Sequence, residues 1–241
     1  MKKYGVIGFP IKQSFSPQYF ANKFEKLGII DCTYDAYEVE SLSDLKKFAS
    51  KNNLSGFNVT MPHKQAIIPH LDGISEAAVK INAVNTVTVR DGKLYGDNTD
   101  HYGFTQSIRG LMRAGKTKAL IFGTGGSSLA VRYALNQMGV SYAMVSRERG
   151  ADFTYDNLTE EDIRANKLLI NTTPLGMMPN TEACVAIPYQ GIGEHHICYD
   201  LVYTPEETLF LKKANEEGAT IKSGLQMLEL QADKSWEIWN T

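Results

Sequence analysis

The segment at residues 119–128 constrains the fold more than any other part of this 241-residue chain. It reads Ala-Leu-Ile-Phe-Gly-Thr-Gly-Gly-Ser-Ser, an apolar run followed by a glycine turn and a helical pattern. Gly123 allows the tight turn, and Gly125 lets the backbone approach a pyrophosphate bound by the N–H groups of the helix. Ser128 replaces the third glycine of the motif with a residue that still permits close packing. A glycine motif between a strand and a helix predicts a dinucleotide-binding βαβ unit; the alternative is a plain glycine turn.

Short apolar runs alternate with helical patterns along the chain, which predicts an α/β fold. Strands are predicted at residues 4–8, 33–39, 56–60, 118–122, 141–146, 167–170, 197–201 and 219–221. A hairpin is predicted where residues 83–89 and 93–95 flank Asp91-Gly92. Further helices are predicted at residues 127–138, from Thr159 onward, at 206–217 and at 225–239.

The end of the second strand of the βαβ unit decides which dinucleotide fits. Proteins that bind NAD place an acidic residue there for the ribose 2′-hydroxyl, whereas arginine can hold a 2′-phosphate. Here Ser146 stands near the acidic position, and Arg147 and Arg149 follow. This pattern favours NADP, although Glu148 would oppose a phosphate if it pointed inward. The alternative reading is a solvated charged turn.

Two serines precede the first predicted helix. Ser14 and Ser16 place two hydroxyl groups where backbone N–H groups are free, and this arrangement suits a carboxylate. The simpler explanation for Ser16 is that it is the N-cap of the helix, with Pro17 at the first position and Gly28 after the end.

A lysine and an aspartate stand where two other predicted helices begin. The segment 58–64 ends a strand and opens a helix at Pro62, so Lys64 lies in the first helical turn. The positive end of the helix dipole disfavours a cation there, so proton transfer explains the lysine better than helix stability does. Asp100 begins the next helix and could be an ordinary N-terminal acid. Both residues are expected at an open cleft, where substitution should hardly affect folding.

Taken together, the order and spacing of the motifs resemble the shikimate dehydrogenase family over nearly the whole chain. The first matches are N-V-T-x-P-x-K at 58–64, A-V-N-T at 83–86, G-x-N-T-D at 96–100 and G-x-G-G-[AS] at 123–127. The later matches are N-x-T-P-x-G-M at 171–177, D-x-x-Y-x-P at 200–205 and G-x-x-M-L-x-x-Q-A at 224–232.

The resemblance implies a role for each matched residue. Lys64 and Asp100 would be the catalytic pair. The substrate carboxylate and ring hydroxyls would be held by Ser14, Ser16, Asn58, Thr60, Asn85, Tyr203 and Gln231. NADP would be held by Gly123, Thr124, Gly125, Gly126, Ser127, Ser128, Ser146, Arg147 and Thr172, with Leu201, Gly224 and Met227 beside the nicotinamide. The implied reaction is the reversible NADPH-dependent reduction of 3-dehydroshikimate to shikimate, a step toward chorismate and aromatic amino acids, with no metal.

The resemblance also implies a division into two domains. Residues 1–101 would form an α/β substrate domain with a mixed sheet, completed by the returning C-terminal helix at 225–241. Residues 102–224 would form a Rossmann-like NADP-binding domain with a parallel sheet. The expected protein is a cytoplasmic monomer or homodimer that binds a small-molecule substrate.

The composition argues against nucleic acid and membranes as partners. The net charge of −2 shows no basic excess for nucleic acid or an anionic membrane, and the three cysteines form no CxxC pair. The nearest competing function is a paralogue that acts on quinate or an amino-substituted shikimate with NAD or NADP. A non-catalytic nucleotide-binding module is a further alternative, against which the presence of Lys64 and Asp100 argues.

Overall fold

The computed structural model describes residues 1–11, 14–112, 117–148 and 150–241, and the chain divides into two compact units. The first unit comprises Met1–Tyr102 and Gln231–Thr241, and the second comprises Gly103–Leu230. Each unit holds a 6-stranded sheet, mixed in the first and parallel in the second. The predicted α/β fold is therefore confirmed. Within the described ranges, no helix combines the length and apolar character needed to cross a membrane.

The first unit is built on a sheet with the strand order β2-β1-β3-β5-β6-β4. Its strands are β1 (Lys2–Gly8), β2 (Cys32–Glu38), β3 (Leu54–Val59), β4 (Gly73–Ile74), β5 (Thr86–Arg90) and β6 (Lys93–Asp97). Its helices are α1 (Ser16–Leu27), α2 (Leu45–Lys51), α3 (His63–Ala66) and α4 (Glu76–Ile81). Strand β1 runs parallel to β2 and β3, whereas β5 runs antiparallel to β3 and β6.

The predicted hairpin is present between β5 and β6. Asp91 and Gly92 have φ angles of 52° and 73°, the left-handed conformation that a two-residue hairpin turn requires. Strand β5 begins only at Thr86, so the prediction that it starts at residue 83 is wrong. The preceding residues have other partners, since the Val84 N–H donates to the carbonyl oxygen of Lys64 at 2.7 Å.

The start of helix α1 also differs from the prediction. The helix begins at Ser16 itself, with Phe15 before it, so Ser16 is not the N-cap. The predicted end is confirmed, because Gly28 closes the helix in the left-handed conformation at φ 66°.

An aromatic cluster forms one side of the core of the first unit. Tyr4 stacks on Trp239 with ring centroids 4.8 Å apart, and Phe20 stacks on Tyr34 at 4.2 Å. The Trp239 indole N–H also donates to the Val87 carbonyl at 2.9 Å. The C-terminal residues of the chain are therefore part of the first unit's core.

The second unit has a parallel sheet with the order β12-β11-β10-β7-β8-β9. Its strands are β7 (Lys118–Phe122), β8 (Ser141–Ser146), β9 (Phe153–Thr154), β10 (Leu168–Asn171), β11 (Ile197–Asp200) and β12 (Thr220–Lys222). The other helices are α5 (Asp100–Ile108), α6 (Gly126–Gln137), α7 (Glu160–Ala165), α8 (Leu209–Glu216) and α9 (Leu225–Trp239). The strand order reverses at β7, because β8 lies on one side of it and β10 on the other. Proteins of the α/β class bind ligands at such a switch point.

Two helices of this unit begin at threonine caps. Thr159 and Asp162 form a capping box at the start of α7, as the prediction of a helix opened by Thr159 requires. Helix α8 starts at Leu209 rather than at residue 206, so the predicted start is wrong. Thr208 caps α8, and its hydroxyl also donates to Asp200 at 2.6 Å, which fixes the start of the helix.

Candidate active site

The first unit brings together the lysine and the aspartate that the sequence singled out. The Lys64 Nζ lies 2.6 Å from Asp100 Oδ2. Lys64 is in the short helix α3, and Asp100 is the first residue of α5. Their side chains are 14% and 9% exposed. Because the pair is largely buried, each charge depends on the other, and substitution of either residue is now expected to affect folding.

Asn85 orients the carboxylate of Asp100. The Asn85 Nδ2 donates to Asp100 Oδ1 at 2.9 Å, and Asn85 Oδ1 accepts the backbone N–H of Thr99 at 2.7 Å. The backbone donor fixes which end of the Asn85 amide is the oxygen. Asp100 thus has one oxygen held by an amide and the other held by Lys64, which restricts rotation of the carboxylate.

Asn58 and Gln231 belong to the same buried hydrogen-bond network. Asn58 Nδ2 reaches the Asn85 carbonyl at 3.1 Å and the Ser235 hydroxyl at 2.9 Å. Gln231 Oε1 accepts from Asn85 Nδ2 at 3.2 Å. The sequence reasoning missed four members of this network: Tyr34, Thr86, Thr99 and Ser235. Thr86 and Thr99 stand inside recognised motifs, whereas no sequence signal marks Tyr34 or Ser235.

The remaining predicted substrate residues lie at strand ends and loops. Ser14 and Ser16 are partly buried at the start of α1. Thr60 follows β3, and its N–H donates to the Ile7 carbonyl at 2.9 Å, which extends the pairing with β1. Tyr203 lies in the second unit, three residues beyond the end of β11.

The glycine loop of the second unit connects β7 to α6 at the switch point. Gly123 has a φ of 101°, and a Cβ atom there would lie 2.7 Å from Thr173 Cγ2, so the turn requires glycine. Gly125 has an ordinary φ of −72°, and apart from its chain neighbours no described residue has an atom within 4 Å of the position a Cβ would take. The fold itself gives no reason for glycine at 125, whereas a closely approaching ligand would.

The residues around this loop suit a phosphate group. Gly126 and Ser127 lie in the first turn of α6, which is described throughout and carries no acidic side chain. The Ser128 hydroxyl donates to the Gly125 carbonyl at 2.6 Å and is fully buried, which confirms close packing at the third motif position. Thr172, just past β10, donates its hydroxyl to the Phe122 carbonyl at 2.7 Å.

The turn after β8 presents charged groups to solvent. Ser146 is buried, and its hydroxyl accepts the N–H of Glu148 at 3.2 Å. Arg147 and Glu148 are both exposed. Burial raises the pKa of the neighbouring Tyr155, and the positive charge of Arg147 opposes this rise. Arg149 lies outside the described residues.

A second buried polar cluster supports the ends of β10 and β11. Asp200 accepts hydrogen bonds from Asn171 at 3.0 Å, the Val202 N–H at 2.9 Å and Thr208. Burial raises the pKa of Asp200 to about 6, although these hydrogen bonds lower it.

The predicted nicotinamide residues follow this cluster along the chain. Leu201 is partly buried, and Gly224 packs so tightly against its carbonyl that no side chain fits. Met227 is buried in the apolar core of the second unit.

Comparison with known proteins identifies the family. Residues 6–87 match the family model of the shikimate dehydrogenase substrate binding domain. A protein of Methanosphaera stadtmanae named shikimate dehydrogenase (NADP(+)) is 36% identical over 255 residues, covering 98% of this chain and 90% of the relative. The chain belongs to the shikimate dehydrogenase family.

Solved structures of the family share the fold. The shikimate dehydrogenase of Aquifex aeolicus is 36% identical with a TM-score of 0.89, covering 100% of this chain and 92% of that one. The Thermus thermophilus enzyme, in complex with NADP(H) and shikimate, is 32% identical with a TM-score of 0.87, covering 99% and 93%. The resemblance first seen in short motifs thus extends to the whole chain.

Proposed function

We propose that this chain catalyses the reversible NADPH-dependent reduction of 3-dehydroshikimate to shikimate. One observation carries the proposal: a largely buried Lys64–Asp100 pair, oriented by Asn85, lies in the unit that includes the residues matching the substrate-binding family model. The relatives' names and the NADP(H) and shikimate held by the Thermus thermophilus structure support the same activity. This reaction is a step in the biosynthesis of chorismate and aromatic amino acids.

Lys64 and Asp100 would carry out the proton transfer to the substrate carbonyl oxygen. When bound, NADPH supplies the hydride to the carbonyl carbon. The Lys64 ammonium would stabilise the negative charge developing on the carbonyl oxygen and donate a proton to it. Asp100 would keep the ammonium in place through the 2.6 Å contact. In the reverse direction, the neutral Lys64 amine would accept the proton of the shikimate hydroxyl.

The substrate would be oriented by polar groups, chiefly of the first unit. The first turn of α1, described in full, has no acidic side chain, so a ligand carboxylate at Ser14 and Ser16 meets no like charge from that turn. The ring hydroxyls and the carboxylate would be held by Asn58, Thr60, Asn85, Gln231 and Tyr203. This division makes the first unit the substrate domain.

The second unit would bind NADP. The open space at Gly125 and the first turn of α6 suit the pyrophosphate, with Thr124, Gly126, Ser127 and Thr172 around it. Arg147, which is exposed, would pair with the 2′-phosphate, beside Ser146. Leu201, Gly224 and Met227 would lie against the nicotinamide. All three cysteines are free thiols, as expected of a protein in the reducing cytoplasm. The protein would act on its small-molecule substrate as a monomer or homodimer.

An initial-rate assay that crosses shikimate and quinate with NADP and NAD tests this function. We expect the highest kcat/KM for shikimate with NADP. Quinate carries an additional hydroxyl on the carbon bearing the carboxylate, so it should fit the Ser14–Ser16 region less well. An equal or higher kcat/KM with quinate would assign the chain to the competing quinate-using group. Absence of turnover with every pair would contradict an oxidoreductase role.

A further inference from the structure

Asp200 is a buried carboxylate of the second unit that the proposed chemistry does not use. It is the last residue of β11, and it is fully buried. Its Oδ1 accepts hydrogen bonds from Asn171 Nδ2 at 3.0 Å and from the backbone N–H of Val202 at 2.9 Å. Its Oδ2 accepts the Thr208 hydroxyl at 2.6 Å. One carboxylate therefore bonds to the end of β10, the loop after β11 and the start of α8.

A backbone group fixes the direction of the hydrogen bond between Asn171 and Asp200. Asn171 Oδ1 accepts the backbone N–H of Thr173 at 3.0 Å and the Thr173 hydroxyl at 2.6 Å. Because a backbone N–H can only donate, this end of the amide is the oxygen, and the other end donates to Asp200. Through Asn171, Asp200 thus restrains the turn that begins at Thr172.

The same carboxylate oxygen restrains the loop after β11. It accepts the N–H of Val202, and the Val202 carbonyl accepts the N–H of Gly224 at 3.1 Å. Gly224 in turn packs against the Leu201 carbonyl so tightly that no side chain fits. Asp200 Oδ1 therefore helps to fix Leu201 and Gly224, two of the residues proposed to lie beside the nicotinamide.

We propose that Asp200 is a positioning residue that holds the turn after β10 and the loop after β11 in place for the nicotinamide half of NADP. This inference rests on the proposed function, in which Thr172 and Leu201 contact the cofactor. Segments that are ordered before the ligand arrives lower the entropic cost of binding. Oδ2 instead bonds to Thr208, the N-cap of α8, so the two oxygens have different roles that variants can separate.

The substitution Asp200→Ala removes the acceptor that joins the two segments. We expect the dissociation constant of NADPH, measured by titration calorimetry, to rise roughly 3- to 10-fold, the effect of losing one hydrogen bond. Adenosine 2′,5′-bisphosphate lacks the nicotinamide half, so its dissociation constant should change by less than about twofold. Equal weakening of both ligands would show a general disturbance of the second unit and would overturn the inference.

Thr208→Val is a matched control at the same carboxylate. It removes the hydroxyl bonded to Oδ2, keeps the shape of the side chain and leaves both partners of Oδ1 in place. Loss of the cap should lower the urea midpoint of the variant, whereas its affinity for NADPH should stay unchanged. If NADPH binding weakened as much as in Asp200→Ala, affinity would merely follow stability, and Asp200 would have no positioning role.

Asp200→Asn should restore NADPH binding. Two donors converge on Oδ1, so the asparagine oxygen should take that position, and its NH2 group can donate to the Thr208 oxygen. Binding as weak as in Asp200→Ala would contradict the inference. If Asp200→Ala does not fold, Asn171→Ala breaks the link to the turn alone, and unaltered NADPH affinity in that variant would also contradict it.

The unaltered protein separates this inference from the proposed function. Absence of NADPH binding would refute both, and NADPH binding without turnover of shikimate would refute the function alone. Normal turnover, combined with unaltered NADPH affinity in Asp200→Ala, would refute only the role of Asp200.

Discussion

The Lys64–Asp100 pair is expected to contribute both to proton transfer and to the stability of the fold. Motif spacing placed each at the start of a helix, and the structure brings their charged atoms to 2.6 Å. Burial makes each charge dependent on the other, because an unpaired charge out of water is costly. Asn85 adds a second constraint by holding the other carboxylate oxygen. The pair is therefore expected to resist separation more than a surface ion pair would.

Replacing Lys64 should impair the chemical step. Lys64→Ala should lower kcat by roughly 10²–10⁴, the range of a positioned acid–base group, while KM for shikimate changes far less. Asp100→Asn should also lower kcat, and the double variant should be little worse than Lys64→Ala, since the two act as a unit. Steady-state kinetics of the three variants measures this coupling. A near-normal kcat with a greatly raised KM would make Lys64 a binding residue only.

The same substitution has a structural consequence. Lys64→Ala leaves the Asp100 carboxylate largely buried without its cation, so the free energy of unfolding should fall by about 1–3 kcal/mol. The double variant lacks both charges and should recover part of this loss. Urea denaturation of the single and double variants compares the two values.

At the scale of elements, the β7–α6 connection separates what the fold needs from what a ligand needs. Gly123 is required by the chain itself, because its φ is positive and its surroundings are crowded. Gly125 has neither a positive φ nor crowded surroundings. The sequence motif predicts glycine at both positions, but only the local geometry shows that the two have different causes.

This difference predicts opposite effects of two alanine substitutions. Gly125→Ala should leave stability within about 0.5 kcal/mol, as its backbone is already acceptable to alanine, while NADP binding weakens at least tenfold by calorimetry. Gly123→Ala should lower stability by about 1 kcal/mol or more through strain and crowding. Unaltered NADP affinity in Gly125→Ala would contradict the assignment of the pyrophosphate to this loop.

At the scale of the whole molecule, a buried acid in the second unit makes stability depend on pH. The pKa of Asp200 is raised from 3.8 to about 6, mainly by burial. Between these values the folded chain keeps a proton that the unfolded chain releases. The free energy of unfolding contributed by Asp200 therefore falls as pH rises through this window, by up to about 3 kcal/mol.

The variant Asp200→Asn lacks this titration and keeps an acceptor for Asn171. The stability of the unaltered protein minus that of the variant should decrease from pH 4 to pH 7, as measured by urea denaturation at unit intervals. Asp72→Asn is a suitable control because the hydrogen bond from Lys46 lowers the pKa of the Asp72 carboxyl below 3.8, so its contribution to stability should change little between pH 4 and pH 7. A pH-independent difference for Asp200→Asn would show that its pKa is not raised on folding.

The sequence by itself determined the α/β class, the hairpin at Asp91-Gly92, the glycine loop and the family. These features depend on local periodicity, turn chemistry and short motifs, which are readable from neighbouring residues. It also named Lys64, Asp100 and Asn85 as members of one site. Such residues are found because each stands inside a motif.

Only the tertiary structure decided which side chains share a hydrogen bond. Tyr34 stands outside every motif, yet its buried hydroxyl donates to Asn58 Oδ1 at 2.7 Å, 24 positions further along the chain. Trp239 likewise joins the core of the first unit from the far end of the chain. The physical reason is that helix caps and turns compete with partners brought near by folding, and a buried hydroxyl takes the partner that best satisfies it.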